Sequence, residues 1–177
     1  MLYTFTINMW EKHKQQPGFT IVELLIVIVV IGILAAITIV SFNGVQNRAN
    51  DTVVQSDLAA IAKQFSLYYV DKGTYPNSTS ELIAAADPTA QPRVQIKPSK
   101  SAYDTSQINF IYCFGNATQY AIVAQSKSGT NYYVNNAQSA PQVIANFPRT
   151  QASICPAVGS GGTGQWGFNG SWGAWTL

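Results

Sequence analysis

Apolar residues dominate one long stretch near the start of the chain. Positions 19–40 form a run interrupted only by Thr20, Glu23, Gly32 and Thr38. As an α-helix, such a run measures roughly 33 Å, which matches the hydrocarbon thickness of a bilayer. The pattern therefore predicts a membrane-spanning helix.

Beyond this run, apolar side chains recur mostly at steps of three or four residues, which predicts that the helix continues with one buried face. These positions are Val45, Ala49, Val53, Leu58, Ile61, Ala62, Phe65, Tyr68 and Tyr69. Gly73 then predicts the end of the helix. We expect a hydrophobic first half over 19–44 and an amphipathic half over 45–72 that packs on a globular head.

A connecting segment over 73–107 precedes a change of pattern. A short helix is expected around 80–86, because Asp87-Pro88 predicts its end. Residues 87–107 are rich in Pro, Ser and Lys and are expected to form a loop.

From Ile108 onwards the apolar pattern has a period of two, which is typical of strands. The predicted strands are 108–114, 119–125, 130–135 and 142–147, and Gly115-Asn116 and Ser128-Gly129 supply turns. The region 108–177 is therefore expected to form an antiparallel sheet of three or four strands. With the long helix covering one face, this is an α+β fold.

Composition removes several classes of function. Charged residues make up only 10% of the chain, against about 25% in a typical soluble domain. The net charge of +2 is too small to indicate nucleic-acid binding without a clustered basic face. The chain has one histidine, His13, and its carboxylates are scattered, so we predict no catalytic residues, no metal site, no cofactor and no enzyme activity.

Charges on either side of the apolar run predict its orientation. Lys12, His13 and Lys14 precede it, and the first charges after it are Arg48 and Asp51. Positive residues stay on the cytoplasmic side, so the remainder of the chain should cross the membrane. An ordinary secretory signal has a shorter apolar stretch. A plain anchor would leave Glu23 unexplained, since an acid within a membrane segment indicates function.

The segment Gly18-Phe19-Thr20-Ile21-Val22-Glu23-Leu24-Leu25 resembles the prepilin peptidase site of type IV pilins and pseudopilins. The resemblance implies a leader over 1–18, cleavage between Gly18 and Phe19, and N-methylation of Phe19. It also implies that Glu23 pairs with the Phe19 amine of a neighbouring subunit during filament assembly.

The same resemblance implies partners and a location. The chain would be a single-pass protein of the cytoplasmic (inner) membrane with its C-terminus outside, and then part of an extracellular pilus that is a homopolymer through its N-terminal helices. Prepilin peptidase and an assembly machinery with a cytoplasmic ATPase and an inner-membrane platform would act on it. Adhesion, twitching motility and contacts with a host surface, a glycan or DNA stay open.

Cys113 and Cys155 are the two cysteines of the chain. An even pair in an exported protein predicts a disulfide, and the resemblance implies that the bond ties a C-terminal loop to the sheet. Two free buried thiols are the alternative.

The C-terminal segment 159–177 combines Gly and Ser with aromatic residues, and it has two interpretations. Trp166, Trp172 and Trp175 could form an exposed surface that binds sugars, a host surface or another subunit. Alternatively, the aromatic rings of the segment pack back on the sheet.

Three functions remain after these observations. The first is a type IV pilin, and the second is a pseudopilin of a secretion or DNA-uptake apparatus. The resemblance implies a calcium site in many major pseudopilins, yet no Asp or Glu follows Asp104, which favours the pilin. The third, of another class, is a membrane-anchored binding module that uses its Trp-rich tail.

Overall fold

The computed structural model describes residues 18–161, 163–174 and 176. The chain divides into two compact units, Met1–Ser41 and Phe42–Leu177, and each is described by itself. Residues 1–17 of the predicted leader lie outside the described residues. Helix α1, Ile21–Lys72, begins in the first unit and ends in the second.

The described part of the first unit is the apolar beginning of α1. Every residue over 18–41 is exposed, and the most apolar window of α1 has a mean hydropathy of 3.2 with none of it buried. Among the described residues, α1 is the one helix long and apolar enough to cross a membrane. The long helix predicted over about 19–72 is confirmed, and it begins at Ile21 and ends at Lys72.

The second unit combines helices with one antiparallel sheet. Its strands lie in the spatial order β4-β3-β2-β1-β5. In chain order its elements after α1 are α2 (Thr79–Ala86), a short 3₁₀ helix (Lys100–Ala102), β1 (Phe110–Asn116), β2 (Gln119–Gln125), β3 (Asn131–Asn135), β4 (Gln142–Val143), α3 (Gln151–Ala157) and β5 (Thr163–Phe168).

The second half of α1 buries one stripe of side chains against a face of the sheet. Its buried residues, at helical spacing, are Val54, Leu58, Ile61, Ala62 and Phe65. The ring of Phe65 stacks on Tyr120 and Tyr112, with centroid distances of 4.8 and 5.1 Å. Stacked aromatic pairs of this kind add to the stabilisation from apolar burial. The predicted α+β fold, with the helix on the sheet, is confirmed.

The opposite face of the sheet is covered by the C-terminal part of the chain. Ile111, Cys113 and Val123 of the sheet form a second buried cluster with Ile154 and Cys155 of α3. Cys113 and Cys155 are joined in a disulfide, as predicted from the sequence, with a sequence separation of 42. The disulfide therefore fixes α3 to β1.

The sheet has five strands, one more than the largest number expected from the sequence. The additional strand, β5, lies in the Gly/Ser-rich tail and pairs with β1. The predicted strand over 142–147 is limited to Gln142–Val143, and α3 was not predicted. The glycines of β5 interrupt the alternation of apolar and polar residues that predicts a strand. At position 164 glycine is required, because a Cβ there would lie 2.8 Å from the carbonyl oxygen of Tyr112.

Gly115 and Gly161 show a second place where the fold requires glycine. A Cβ on either residue would collide with the backbone of the other. The chain that leads into β5 can approach β1 this closely because neither residue has a side chain.

We predict that Gly115→Ala lowers the free energy of unfolding by about 1–3 kcal/mol, the usual cost of overpacking. Gly44→Ala is the matched control, since a Cβ at Gly44 meets no atom within 4 Å and alanine favours a helix. Chemical denaturation of the full chain in detergent measures both. Equal stability of the two variants would contradict the close approach.

Removal of the disulfide should destabilise the second unit through the loop that it closes. With a sequence separation of 42, the chain-entropy treatment gives about 4 kcal/mol for the double variant Cys113→Ala/Cys155→Ala. The denaturation midpoints of the oxidised protein and this variant provide the measurement. A difference near zero would contradict the stabilisation expected from closing this loop.

Candidate functional site at the amino end of the long helix

Thr20 and Glu23 form a reciprocal pair of hydrogen bonds where α1 begins. The backbone N–H of Glu23 donates to Oγ1 of Thr20 at 3.2 Å, and the backbone N–H of Thr20 donates to Oε2 of Glu23 at 2.9 Å. This arrangement is a capping box, which satisfies two backbone donors that the first helical turn leaves without partners. The Thr20 hydroxyl donates a further bond to the same carboxylate oxygen at 2.7 Å.

The carboxylate of Glu23 keeps unused capacity for a partner. All its hydrogen bonds within the described residues come from Thr20 and end on Oε2. Its position in the first turn is favourable, because the amino end of a helix carries partial positive charge. The capping box thus holds the carboxylate in one orientation and leaves Oε1 available to a second donor.

The surroundings of this carboxylate are apolar. A surface hollow of about 470 Å³ is lined by Phe19, Glu23, Leu24, Ile26 and Val27. The side chain of Phe19 is 90% exposed. Glu23 is the one anion among the described residues that line this hollow, and such a site suits a partner that offers apolar surface and a single cation.

The structure brings the predicted functional residues together at one helix end. Gly18 and Phe19 are exposed and lie immediately before the capping box, so the predicted cleavage bond is accessible within the described residues. Glu23 has a predicted role from the sequence, whereas Thr20 was not among the predicted site residues. The Thr-x-x-Glu spacing of the capping box was the signal that could have identified it.

The three tryptophans of the tail fall in different places. Trp166 is a residue of β5, and Trp175 lies outside the described residues. Trp172 is half-buried, with its ring centroid 5.7 Å from that of Tyr103 and 5.2 Å from that of Phe168. For Trp172 the structure therefore shows packing on the core and not an open aromatic platform.

Comparison with known proteins gives two kinds of match. The family model for the prokaryotic N-terminal methylation motif matches residues 13–39, which include the capping box and the predicted cleavage bond. The type IV wide pilus major component PilA4 of Thermus thermophilus is 31% identical over 120 residues, covering 68% of this chain and 81% of that protein. The chain belongs to the type IV pilin and pseudopilin superfamily.

Matches within this superfamily also include pseudopilins. Type II secretion system core protein G of Pseudomonas aeruginosa is 35% identical over 83 residues, which cover 46% of this chain and 58% of that protein. The corresponding protein of Vibrio cholerae is 28% identical over 82 residues, covering 46% of this chain and 56% of its own length. The chain thus spans little more than half the length of these core proteins. Pilins and pseudopilins are structural subunits rather than enzymes.

We predict that Thr20→Val loosens the first turn of α1, because valine has the shape of threonine but neither donates nor accepts a hydrogen bond. Thr20→Ser retains the hydroxyl and is the matched control. Amide hydrogen exchange of the full chain in detergent should be about five-fold faster over residues 22–24 in the valine variant, as expected for a lost cap. Unchanged exchange rates would contradict the capping role.

Proposed function

We propose that this protein is a type IV pilin that polymerises through its N-terminal helix. Residues 1–18 form a leader that prepilin peptidase removes, and the new N-terminal residue, Phe19, is methylated on its amine. The segment over 19–44 holds the subunit in the inner membrane before assembly. In the extracellular filament, Glu23 of one subunit pairs with the Phe19 amine of a neighbour.

The observation that carries this proposal is the partly satisfied carboxylate in an apolar hollow. Assembly places the apolar helices of many subunits side by side and excludes water from the surroundings of Glu23. A charge without a partner in such surroundings is costly, whereas an opposite charge within hydrogen-bond distance removes most of that cost. The amine of Phe19 is the cation that cleavage itself creates.

The capping box supports this pairing because it survives removal of the leader. Thr20 and Glu23 both lie after the cleavage bond, so their hydrogen bonds do not depend on residues 1–18. The box commits Oε2 to Thr20 in the same subunit and leaves Oε1 for the neighbour. One carboxylate and one amine per subunit then set the axial register of the helices.

Two further partners take part in assembly. A cytoplasmic ATPase supplies the work of extension, and an inner-membrane platform receives subunits from the bilayer. We infer both partners from the family resemblance and from the similarity to pilus and secretion proteins.

A second candidate is a pseudopilin of a secretion or DNA-uptake apparatus, and the 35% identity to the Pseudomonas core protein favours it. The pilin is preferred because the match to PilA4 covers 68% of this chain, against 46% for that core protein. Electron microscopy separates the two, since a pilin forms long surface filaments and a pseudopilin forms short ones. A membrane-anchored binding module has less support, because Trp172 packs on the core.

We predict that Glu23→Gln prevents filament growth while leaving the subunit processed and inserted. Glutamine can take the place of glutamate in a capping box but carries no charge, so this variant separates the pairing from the cap. We expect at least about ten-fold fewer filaments by electron microscopy, since one partner of a desolvated ion pair is lost.

Asp71→Asn is the matched control, because it removes an exposed carboxylate of α1 far along the chain from the first turn. Mass spectrometry of the N-terminus should find methylated Phe19 in both variants. Normal filaments from Glu23→Gln would contradict the role of Glu23 in assembly.

A further inference from the structure

Four segments of the chain have the pattern Asn-x-Ser/Thr, which is the acceptor pattern for N-linked saccharides in exported proteins. They begin at Asn50, Asn77, Asn116 and Asn169. In a chain rich in Asn, Ser and Thr the pattern also arises by chance, so it indicates a modification site only where the structure places it in a suitable surface turn. The four segments differ in this respect.

Asn116 lies where an exposed hairpin turn begins. It is the last residue of β1, and Gln119, the first residue of β2, pairs with it across the turn. Asn116, Thr118 and Gln119 are all exposed. The carbonyl oxygen of Ala117 accepts a hydrogen bond from the backbone N–H of Tyr75 at 2.7 Å, which fastens the turn to the chain that follows α1. The turn is therefore open to solvent and held in place.

The side chain of Asn116 is oriented by three hydrogen bonds. Its Oδ1 accepts from the backbone N–H of Thr118 at 2.9 Å and from the Thr118 hydroxyl at 2.8 Å. Its Nδ2 donates one bond within the described residues, to Oε1 of Gln119 at 3.2 Å. Since a carboxamide nitrogen carries two hydrogens, this bond leaves one of them for a reaction.

The two bonds to Oδ1 bear on the reactivity of the nitrogen. An amide nitrogen is a weak nucleophile because its lone pair is delocalised into the carbonyl group. When the nitrogen loses a proton as it attacks, negative charge develops on the carboxamide and is shared with Oδ1. Donors already directed at that oxygen stabilise the developing charge. Thr118 thus prepares the Asn116 side chain for transfer of a saccharide to Nδ2.

The segment at Asn50 does not have this arrangement, because it lies within helix α1. Residues two positions apart on a helix do not face each other. Accordingly, the hydroxyl of Thr52 donates to the carbonyl oxygen of Arg48 at 2.9 Å and not to Asn50.

The segment at Asn77 is used for the start of helix α2. The carboxamide of Asn77 lies against the carboxylate of Glu81, to which the Asn77 backbone N–H also donates at 2.9 Å. The hydroxyl of Thr79 donates to Oε1 of Gln165 at 2.7 Å. Both polar groups of this segment therefore have other partners.

The segment at Asn169 is exposed but has a different conformation. Gly170 has a φ of 78°, and the backbone N–H of Asn169 donates to the carbonyl oxygen of Ser171 at 3.2 Å. Within the described residues no hydrogen bond joins the Ser171 hydroxyl to the Asn169 carboxamide. Of the four segments, the one at Asn116 alone combines an exposed turn with a carboxamide activated by its own Thr.

We propose that Asn116 carries an N-linked saccharide, transferred from a saccharide that is linked to a lipid diphosphate. Nδ2 attacks the anomeric carbon and forms the new C–N bond, while the bond from that carbon to the diphosphate oxygen breaks. The lipid diphosphate leaves, and one Nδ2 proton passes to a base of the transferase. The other N–H remains and continues to donate to Gln119.

This inference rests on the proposed function in one respect, which is that the second unit reaches the outer side of the membrane. It depends neither on filament formation nor on Glu23. Its chemical consequence is a hydrophilic saccharide at the end of the β1–β2 hairpin.

The test uses full-length protein isolated from its natural host and digested with trypsin. Cleavage after Lys and Arg places the four segments in four different peptides, 49–63, 73–93, 101–127 and 150–177. We expect mass spectrometry to find a saccharide on peptide 101–127. Enzymatic release of the saccharide in heavy-oxygen water converts the modified asparagine to aspartate and marks its position in the peptide.

Variants expressed in the same host identify the residues that matter. Asn116→Gln should remove the saccharide, whereas Asn77→Gln is the matched control and should leave it on peptide 101–127. Thr118→Val should lower occupancy at least about ten-fold, because removing one donor to a developing negative charge slows a reaction by about a hundred-fold or more. Thr118→Ser retains the hydroxyl and should keep the modification.

Three results would overturn the inference while leaving the proposed function intact. They are a protein with methylated Phe19 and unmodified Asn116, a saccharide attached only to other residues, and equal occupancy in Thr118→Val and Thr118→Ser. Unmodified Asn116 in a protein that still carries residues 1–18 would instead contradict the processing stage of the proposed function, and this inference would fail with it.

Discussion

A carboxylate on an apolar helix is the constraint on which the rest of this molecule depends. Glu23 is tolerated in the membrane segment because it sits in the first turn of α1 and accepts hydrogen bonds from Thr20. That arrangement satisfies the helix end but not the charge. Among the described residues only Thr20 bonds to the carboxylate, and we propose that cleavage before Phe19 supplies the cation that neutralises it. In the proposed function, insertion, processing and assembly are linked through this one side chain.

In the second unit, the main contacts pack the sheet between the amphipathic half of α1 and the C-terminal part of the chain. The amphipathic half of α1 covers one face of the sheet, and the C-terminal part of the chain covers the other, fixed by the disulfide between Cys113 and Cys155. Asp51 and Asp57 fasten the turns and loops next to α1.

Much of this architecture could be predicted from the sequence because it follows from periodicity. The spacing of Leu58, Ile61 and Phe65 marks the buried face of α1, and the paired cysteines indicate the disulfide. Strand β5 could not be predicted, since Gly164 and Gly167 interrupt its alternation, and the need for glycine at position 164 comes from its close contact with the backbone of β1. Of the candidate site, Glu23 could be predicted from its charge within the apolar run, whereas the role of Thr20 is seen in its hydrogen bonds with Glu23.

The most direct measurement of the central claim is a helical reconstruction of the assembled filament by electron cryo-microscopy, at a resolution that shows side chains. The account predicts that the nitrogen of Phe19 in one subunit lies within about 4 Å of the Glu23 carboxylate of an adjacent subunit. A carboxylate that contacts only groups of its own subunit, or a filament in which residues 1–18 remain attached, would contradict it.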